Sequence, residues 1–554
     1  MTRSRTGNAA GLFLTFVLIA GLVGLGVWLL MKDGDPAPTP DPATGSASTP
    51  GAPAAAAAAT RPDGPAPQPV EPPTGAPRLA APAPYIPKDG IVRIDISEYA
   101  GYAGLVVANG GLKPNPDSFF AREYGFQVEL INDESESWSE VNNGLLGGCA
   151  TTTDVLAVLG RQFDAVVPAQ IGFSRGSDQL IVDRGITSVN QLAGRRIAVE
   201  AYNESEFLVR FLAQEAGLKV KPLRDLDAQP AADEVGLVFY ADAFTACDAY
   251  AHELAGARRL SGALGWTPRT EEVVAASGEA AKILVTNRNL LVVADILVLN
   301  KGFASANPKM VKGLVHGLLH GNRLVRTDPE AHLAVLKTAW GWTPEQARDE
   351  LRKVHLANLP ENTAFFSGTI DAAGSFGSIY QQAVMAYGPT VIPNPPDAER
   401  FRDAAALAEL TTENRFPGDV VAIAPIRTST RGALEGEALL SKDIRFFFEP
   451  NSATLDASNA ANPGFLDTIQ GYLKVSPGSV VVLNGHVDGS LKEQFRKDGG
   501  DALVRSMALK AMELSKQRAQ AVRAALLARH PGIDGARVEA IGRGWEQPAG
   551  ANAD

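Results

Sequence analysis

Residues 188–218 read SVNQLAGRRIAVEAYNESEFLVRFLAQEAGL. The apolar run RIAV at 196–199 is followed by a polar turn, then by apolar residues at helical spacing over 204–216. A short β-branched run bounded by Gly and Asn, leading into a 3.6-residue period, predicts a strand that feeds a helix. The same unit recurs on both sides. Strands are expected at 91–96, 127–131, 165–167, 235–239 and 283–285, and a further helix at 98–109. Such alternation predicts an α/β fold with a parallel sheet covered by helices. Beyond Pro308 the pattern turns helical, with Val311, Leu314, Val315, Leu318 and Leu319 on one face.

The chain around this stretch has 554 residues, 45% hydrophobic and 20% charged, which is enough for two to four folded units. A formal net charge of −11 argues against a nucleic-acid partner, because phosphate binding needs a basic surface. Two cysteines, Cys149 and Cys247, exclude a disulfide scaffold and a four-cysteine zinc site, and read as buried thiols. His316 and His320 stand four apart on one helical face, but no third ligand accompanies them, so no metal is expected. No GxSxG, P-loop or GxGxxG sequence stands in a strand–helix context, so neither a catalytic residue nor a cofactor is expected.

The N-terminal side supplies an address. Residues 11–31, GLFLTFVLIAGLVGLGVWLLM, are 21 almost wholly apolar residues, long enough to cross a hydrocarbon core of about 30 Å. Arg3 and Arg5 precede them and Asp33 and Asp35 follow, which places the N-terminus in the cytoplasm and the remainder in the periplasm. The length, and the lack of a small-x-small site just after it, favour an uncleaved inner-membrane anchor over a signal peptide. Of the 37 prolines, 16 fall between Asp35 and Lys88, in a segment too poor in large apolar groups to fold by itself. The expected layout is a cytoplasmic tail (1–10), a transmembrane helix (11–31), a disordered Pro/Ala-rich linker (32–88) and the α/β body (89–410).

The stretch 188–218, with ADILVLN at 294–300 and NPKMVKG at 307–313, resembles the periplasmic solute-binding proteins of ABC importers. The branch it is most similar to includes sulfonate-, nitrate- and thiamine-precursor-binding proteins. The resemblance implies a two-lobed type II periplasmic-binding-protein fold with a small ligand held between the lobes. Strand-end loops would then line the cleft, and helix N-termini pointing into it would favour an anion. The candidate cleft residues are Tyr99, Tyr102, Thr151, Thr152, Thr153, Arg175, Tyr202 and Asp242. The same threonines also suit a helix cap, and Arg175 a surface ion pair. An enzyme of this family carries a cysteine-rich signature that is absent here.

After a connector (411–440), residues 441–550 read as β-α-β-α-β. FFFEPNSATLD at 446–456, GHVD at 485–488, LSKQRAQAV at 514–522 and GRGWEQP at 542–548 occur in the order of the OmpA-like peptidoglycan-binding domain, which this unit resembles. The resemblance implies that Asp488 holds the ammonium, and Arg518 the carboxylate, of diaminopimelate in the wall's stem peptide. A zwitterion suits one carboxylate and one forked guanidinium. The sequence departs from the family at Ala511, where asparagine is usual. A charged surplus at 490–501 also roughly doubles the spacing between Asp488 and Arg518. The reading is an inner-membrane-anchored envelope protein that binds peptidoglycan and a small ligand, as sensor or scaffold, with inner-membrane proteins as further partners. Two alternatives are the binding component of an ABC importer and a structural scaffold with a degenerate cleft.

Overall fold

The computed structural model describes residues 64–132, 138–369, 374–423, 442, 444–449, 452–475 and 479–545. The expected tail, the membrane helix, the first part of the linker and most of the connector lie outside the described residues. Among the described residues, no helix is long and apolar enough to cross a membrane.

The body contributes strands β1 (Ile91–Ile96), β2 (Gln127–Asn132), β3 (Gly148–Thr152), β4 (Ala165–Ser174), β5 (Asp178–Asp183) and β6 (Arg196–Glu200). It continues with β7 (Lys219–Leu223), β8 (Glu234–Tyr240), β9 (Gly262–Trp266), β10 (Ala281–Thr286), β11 (Ala294–Asn300) and β12 (Val354–Leu356). They form two six-stranded sheets, one in the order β12-β4-β11-β3-β1-β2 and the other β10-β5-β9-β6-β8-β7. In the first, β1 runs parallel to β2 with Ile94 opposite Leu130, and β11 runs antiparallel to β3 with Leu297 opposite Ala150. In the second, Ala198 of β6 faces Val238 of β8 and Ala263 of β9, both parallel.

The chain passes between the sheets twice, through 175–177 from β4 to β5 and through 287–293 from β10 to β11. Two crossovers make two lobes with a cleft between them, so the expected architecture is present. Its cohesion is hydrophobic. Val92, Ile94 and Ile96 of β1, Val128 and Leu130 of β2, and Leu237 and Phe239 of β8 are all buried. Each such side chain contributes about 1.5–3 kcal/mol.

The sequence reading named no strand at β3, β5, β7, β9, β11 or β12. Gly148-Cys-Ala-Thr-Thr152 resembles a loop running into a helix start, because it lacks large β-branched residues. Yet all five residues are buried, wedged between β1 and β11, where strand packing leaves room only for small side chains. Cys149 lies there, and Cys247 lies in the helix Ala243–Leu254 of the other lobe. Both are buried and they are not joined.

The linker expectation needs correction for 64–88. This segment lies along the body. Val70 N donates to Phe239 O at 2.8 Å in the second lobe, and the Tyr202 hydroxyl donates to Gly75 O. It then crosses to the first lobe, where Ala80 N donates to Ser139 Oγ (2.8 Å) and Tyr85 N to Asn300 Oδ1 (3.1 Å). Composition missed this because the proline-rich segment is held without pairing as a strand. Side-chain amides of Asn142, Gln162 and Asn300 take up its backbone carbonyls instead.

The C-terminal unit comprises the helix Ala461–Val475, strand β13 (Val481–Gly485), the helix Lys492–Arg529 and strand β14 (Val538–Gly542). The two strands are parallel, with Leu483 opposite Ala540. The first expected strand appears only as a bridge between Phe448 and Leu455. Even so, Ile444, Phe446 and Phe448 pack on the cluster of Leu466, Ile469 and Leu473. The charged surplus is a helical extension broken at Gly499 and Gly500, and it is anchored by Phe495 stacking on Trp545 at 6.1 Å.

Candidate functional site

The cleft is walled by Tyr99, Tyr102 and Thr152 of the first lobe and by Glu200, Asn203, Glu204 and Trp266 of the second. Ser174, Asp178, Val293 and Asp295, at the crossovers, form its base. Of the candidate residues, Tyr99, Tyr102 and Thr152 line it. Their rings and hydroxyls are positioned locally: Tyr99 meets Tyr102 edge-on at 5.2 Å, and the Tyr99 hydroxyl donates to Asp295 Oδ2 at 3.3 Å. Thr152 occupies the cap position of the helix Thr153–Leu159, but its side chain makes no capping bond.

The other candidates are not in the described lining. Thr151 is buried within β3 opposite Ile296, and Thr153 Oγ1 donates to Ala294 O at 3.3 Å. Asp242 caps the helix Ala243–Leu254 by accepting from Thr245 N at 2.7 Å. Tyr202 binds the N-terminal segment through Gly75, as described above. Arg175 sits in the first crossover, where its Nε donates to Arg288 O at 3.3 Å, and it is not among the cleft-lining residues. His316 and His320 pack on Phe119, at 4.9 and 4.5 Å, with His316 Nδ1 2.9 Å from the Tyr124 hydroxyl.

The described lining of the cleft is acidic. Among the described residues its lining holds four carboxyl groups, Asp178, Glu200, Glu204 and Asp295, and no lysine, arginine or histidine. The helix Glu204–Glu215 does begin at the cleft, but Asn203 already accepts from Ser205 N (3.0 Å) and Glu206 N (3.3 Å). Glu204 and Glu206 in its first turn further offset the positive helix end. Asp178 accepts from Ser174 Oγ and Asn287 Nδ2. Burial pushes the Asp178 carboxyl up to about 6. Burial, reinforced by the neighbouring Asp178 charge, holds Asp295 well above the usual carboxylate range. Beneath them, burial raises Asp154 to about 7.

Sequence reasoning missed the acids and Trp266. Their signal lay in position: Glu200 ends β6, Asp295 is the second residue of β11 and Trp266 ends β9. Strand ends in such sheets border the ligand crevice.

In the C-terminal unit, Asp488 follows β13 and accepts from Ser490 N at 2.8 Å. Arg518, midway along the last helix, donates through Nε to Ser452 O at 2.9 Å and lies over the Phe448 ring at 5.0 Å. Burial lowers the Arg518 pKa without removing its charge at neutral pH. Two shared contacts set both residues. Gly485 of β13 abuts the helix backbone at Ser515, and Ser515 Oγ accepts from Gly544 N at 2.9 Å. The GHVD, LSKQRA and GRG stretches therefore converge as their order implied. In the same unit, Val487 N donates to Gly544 O at 2.9 Å.

Residues 447–554 match the family model described as the OmpA family. No curated protein matches the chain. Among solved structures, the periplasmic aliphatic sulphonate binding protein SsuA from Escherichia coli aligns at 15% identity and TM-score 0.42, covering 57% of this chain and 92% of that one. The alkanesulfonate-binding protein SsuA from Xanthomonas axonopodis pv. citri, bound to MOPS, aligns at 14% and 0.42, covering 57% and 100%. The desulfurization enzyme DSZB aligns at 13% and 0.40, covering 59% and 99%. Residues 447–554 form an OmpA-family domain, and the α/β body before it in the chain consists of two lobes joined by two crossovers.

Proposed function

We propose that this chain is a non-enzymatic envelope protein that grips peptidoglycan through its C-terminal domain and samples a small periplasmic solute in its cleft. In this reading residues 11–31 anchor it in the inner membrane and the bulk lies in the periplasm. It acts as a sensor or scaffold, with inner-membrane proteins as partners.

The observation that carries the proposal is that Asp488 and Arg518, of opposite charge, follow two residues at which strand β13 and the last helix meet. Asp488 and Arg518 lie three residues from Gly485 and Ser515 respectively, and those two residues touch backbone to backbone. One carboxylate and one guanidinium suit the ammonium and carboxylate of a diaminopimelate side chain, each bond contributing about 1.5–3 kcal/mol. Co-sedimentation with purified cell wall tests the reading. The wild-type chain is expected in the pellet, and Asp488→Lys and Arg518→Ala in the supernatant. Pelleting of both variants at wild-type levels would refute it.

A further inference from the structure

We propose that residues 70–85 are a strap that ties the two lobes together and restrains the opening of the cleft. The inference goes beyond the solute reading, because it concerns how the lobes are held and not what lies between them.

The strap is fastened to both lobes. On the second, β7 pairs with β8 as far as Leu223 opposite Val238, and Val70 N donates to the next carbonyl, Phe239 O, at 2.8 Å. Further along the strap, Gly75 O accepts from the Tyr202 hydroxyl. On the first lobe, Gln162 Nε2 donates to Pro77 O at 2.9 Å and its Oε1 accepts from Leu79 N at 3.2 Å. Asn142 Nδ2 donates to Ala80 O at 2.7 Å, and Asn300 Nδ2 to Ala83 O at 2.8 Å. The first-lobe seat is also shaped to the chain. A Cβ at Gly144 would stand 2.6 Å from Pro84 O, and one at Gly302 would stand 2.6 Å from Pro84 Cβ. Both positions leave out a side chain where the strap passes.

The crossing between the lobes has no slack. Between the second-lobe bond at Gly75 and the first-lobe bond at Pro77 stands one residue, Ala76, itself packed on the core. Two Cα steps span at most about 7 Å. A hinge motion about the crossovers that draws Tyr202 away from Gln162 must therefore break the bonds on one side of Ala76.

The second-lobe fastening also reaches the cleft. Tyr202 has φ 62, a left-handed conformation rare for a bulky residue, and such strain persists only where the surroundings fix it. Its N–H donates to Glu206 Oε2 at 2.7 Å, and its ring centroid lies 6.5 Å from that of Tyr387. The next residue, Asn203, lines the cleft, and its carbonyl accepts from the Tyr387 hydroxyl at 3.2 Å. The strap thus grips the turn that carries one cleft wall.

The test is double electron–electron resonance on the full chain, with spin labels at Gln214→Cys on the second lobe and Lys309→Cys on the first. Both positions are exposed on helices, and the native Cys149 and Cys247 are buried. One variant receives six Gly/Ser residues between Gly75 and Ala76, which add up to about 20 Å of reach and leave every strap residue present. A control receives the same six between Ala66 and Pro67, ahead of the strap. Thermal melting verifies that both fold. A narrow inter-lobe distance distribution is expected in the labelled parent and in the control, and a distribution roughly twofold broader in the strap insertion. A strap insertion as narrow as the parent, a parent already as broad, or equal broadening in the control would each overturn the strap and leave the solute reading standing.

Discussion

Gly485 and Ser515 meet backbone to backbone: a Cβ added at Gly485 would lie 2.0 Å from Ser515 O. Strand β13 and the last helix are therefore held closer than any side chain permits. Asp488 and Arg518 inherit their positions from this contact. Gly485→Ala is expected to destabilise the C-terminal domain by about 1–3 kcal/mol through overpacking. Differential scanning calorimetry would register a lower melting temperature for that domain, and wall binding should fall with it although neither charged residue has changed.

Arg518→Lys separates charge from shape. The substitution keeps the cation but loses the planar fork and its stacking over Phe448. Affinity for a diaminopimelate-containing muropeptide is expected to drop by about tenfold, as for loss of one charge-assisted hydrogen bond. A titration showing equal affinity would mean that a point charge suffices.

The N-terminal segment is fixed to the body by one side chain above all. Asn300 accepts from Tyr85 N and Phe303 N and donates to Ala83 O and Val141 O. Asn300→Ala is expected to cost about 2–4 kcal/mol, since it orphans several buried backbone groups. Limited proteolysis should then cleave within 77–88, which the wild-type chain protects.

Buried acids should make stability depend on pH. Burial raises Asp154 to about 7, so the folded state holds a proton there that the unfolded chain releases near pH 4. Stability from this group is therefore full below about pH 4 and declines as pH rises toward 7. The neighbouring acids Asp178 and Glu206 reinforce the shift, while the Thr152 hydroxyl and the Asp154 backbone amide oppose it. Asp154→Asn should remove the dependence. Relative to wild type, the variant is expected to gain on the order of 1–3 kcal/mol between pH 5 and pH 7.5 in urea unfolding. A constant difference across that range would contradict the assignment.

The sequence made the two-lobed body legible wherever β-branched runs met amphipathic helices, as at 196–216. It hid β3, whose small residues are selected by close packing between strands and not by strand propensity. It also hid the fixed course of 64–88, because the partners of that segment lie far along the chain at Asn142, Gln162 and Asn300. In the C-terminal domain the motifs single out Asp488 and Arg518 by their place after GH and LSKQ. In the cleft, residue type and loop position found Tyr99, Tyr102 and Thr152. The acids were invisible because Asp178 and Asp295 belong to different strands and meet only through the two crossovers.

The most direct measurement compares binding of the full chain to two kinds of purified wall, one carrying diaminopimelate in its stem peptide and one carrying lysine at that place. Lysine keeps the ammonium for Asp488 but lacks the carboxylate for Arg518. The expected result is tight sedimentation with the diaminopimelate wall, at least tenfold weaker with the lysine wall, and no such preference in Arg518→Ala. Equal sedimentation of the wild-type chain with both walls would contradict zwitterion recognition by Asp488 and Arg518.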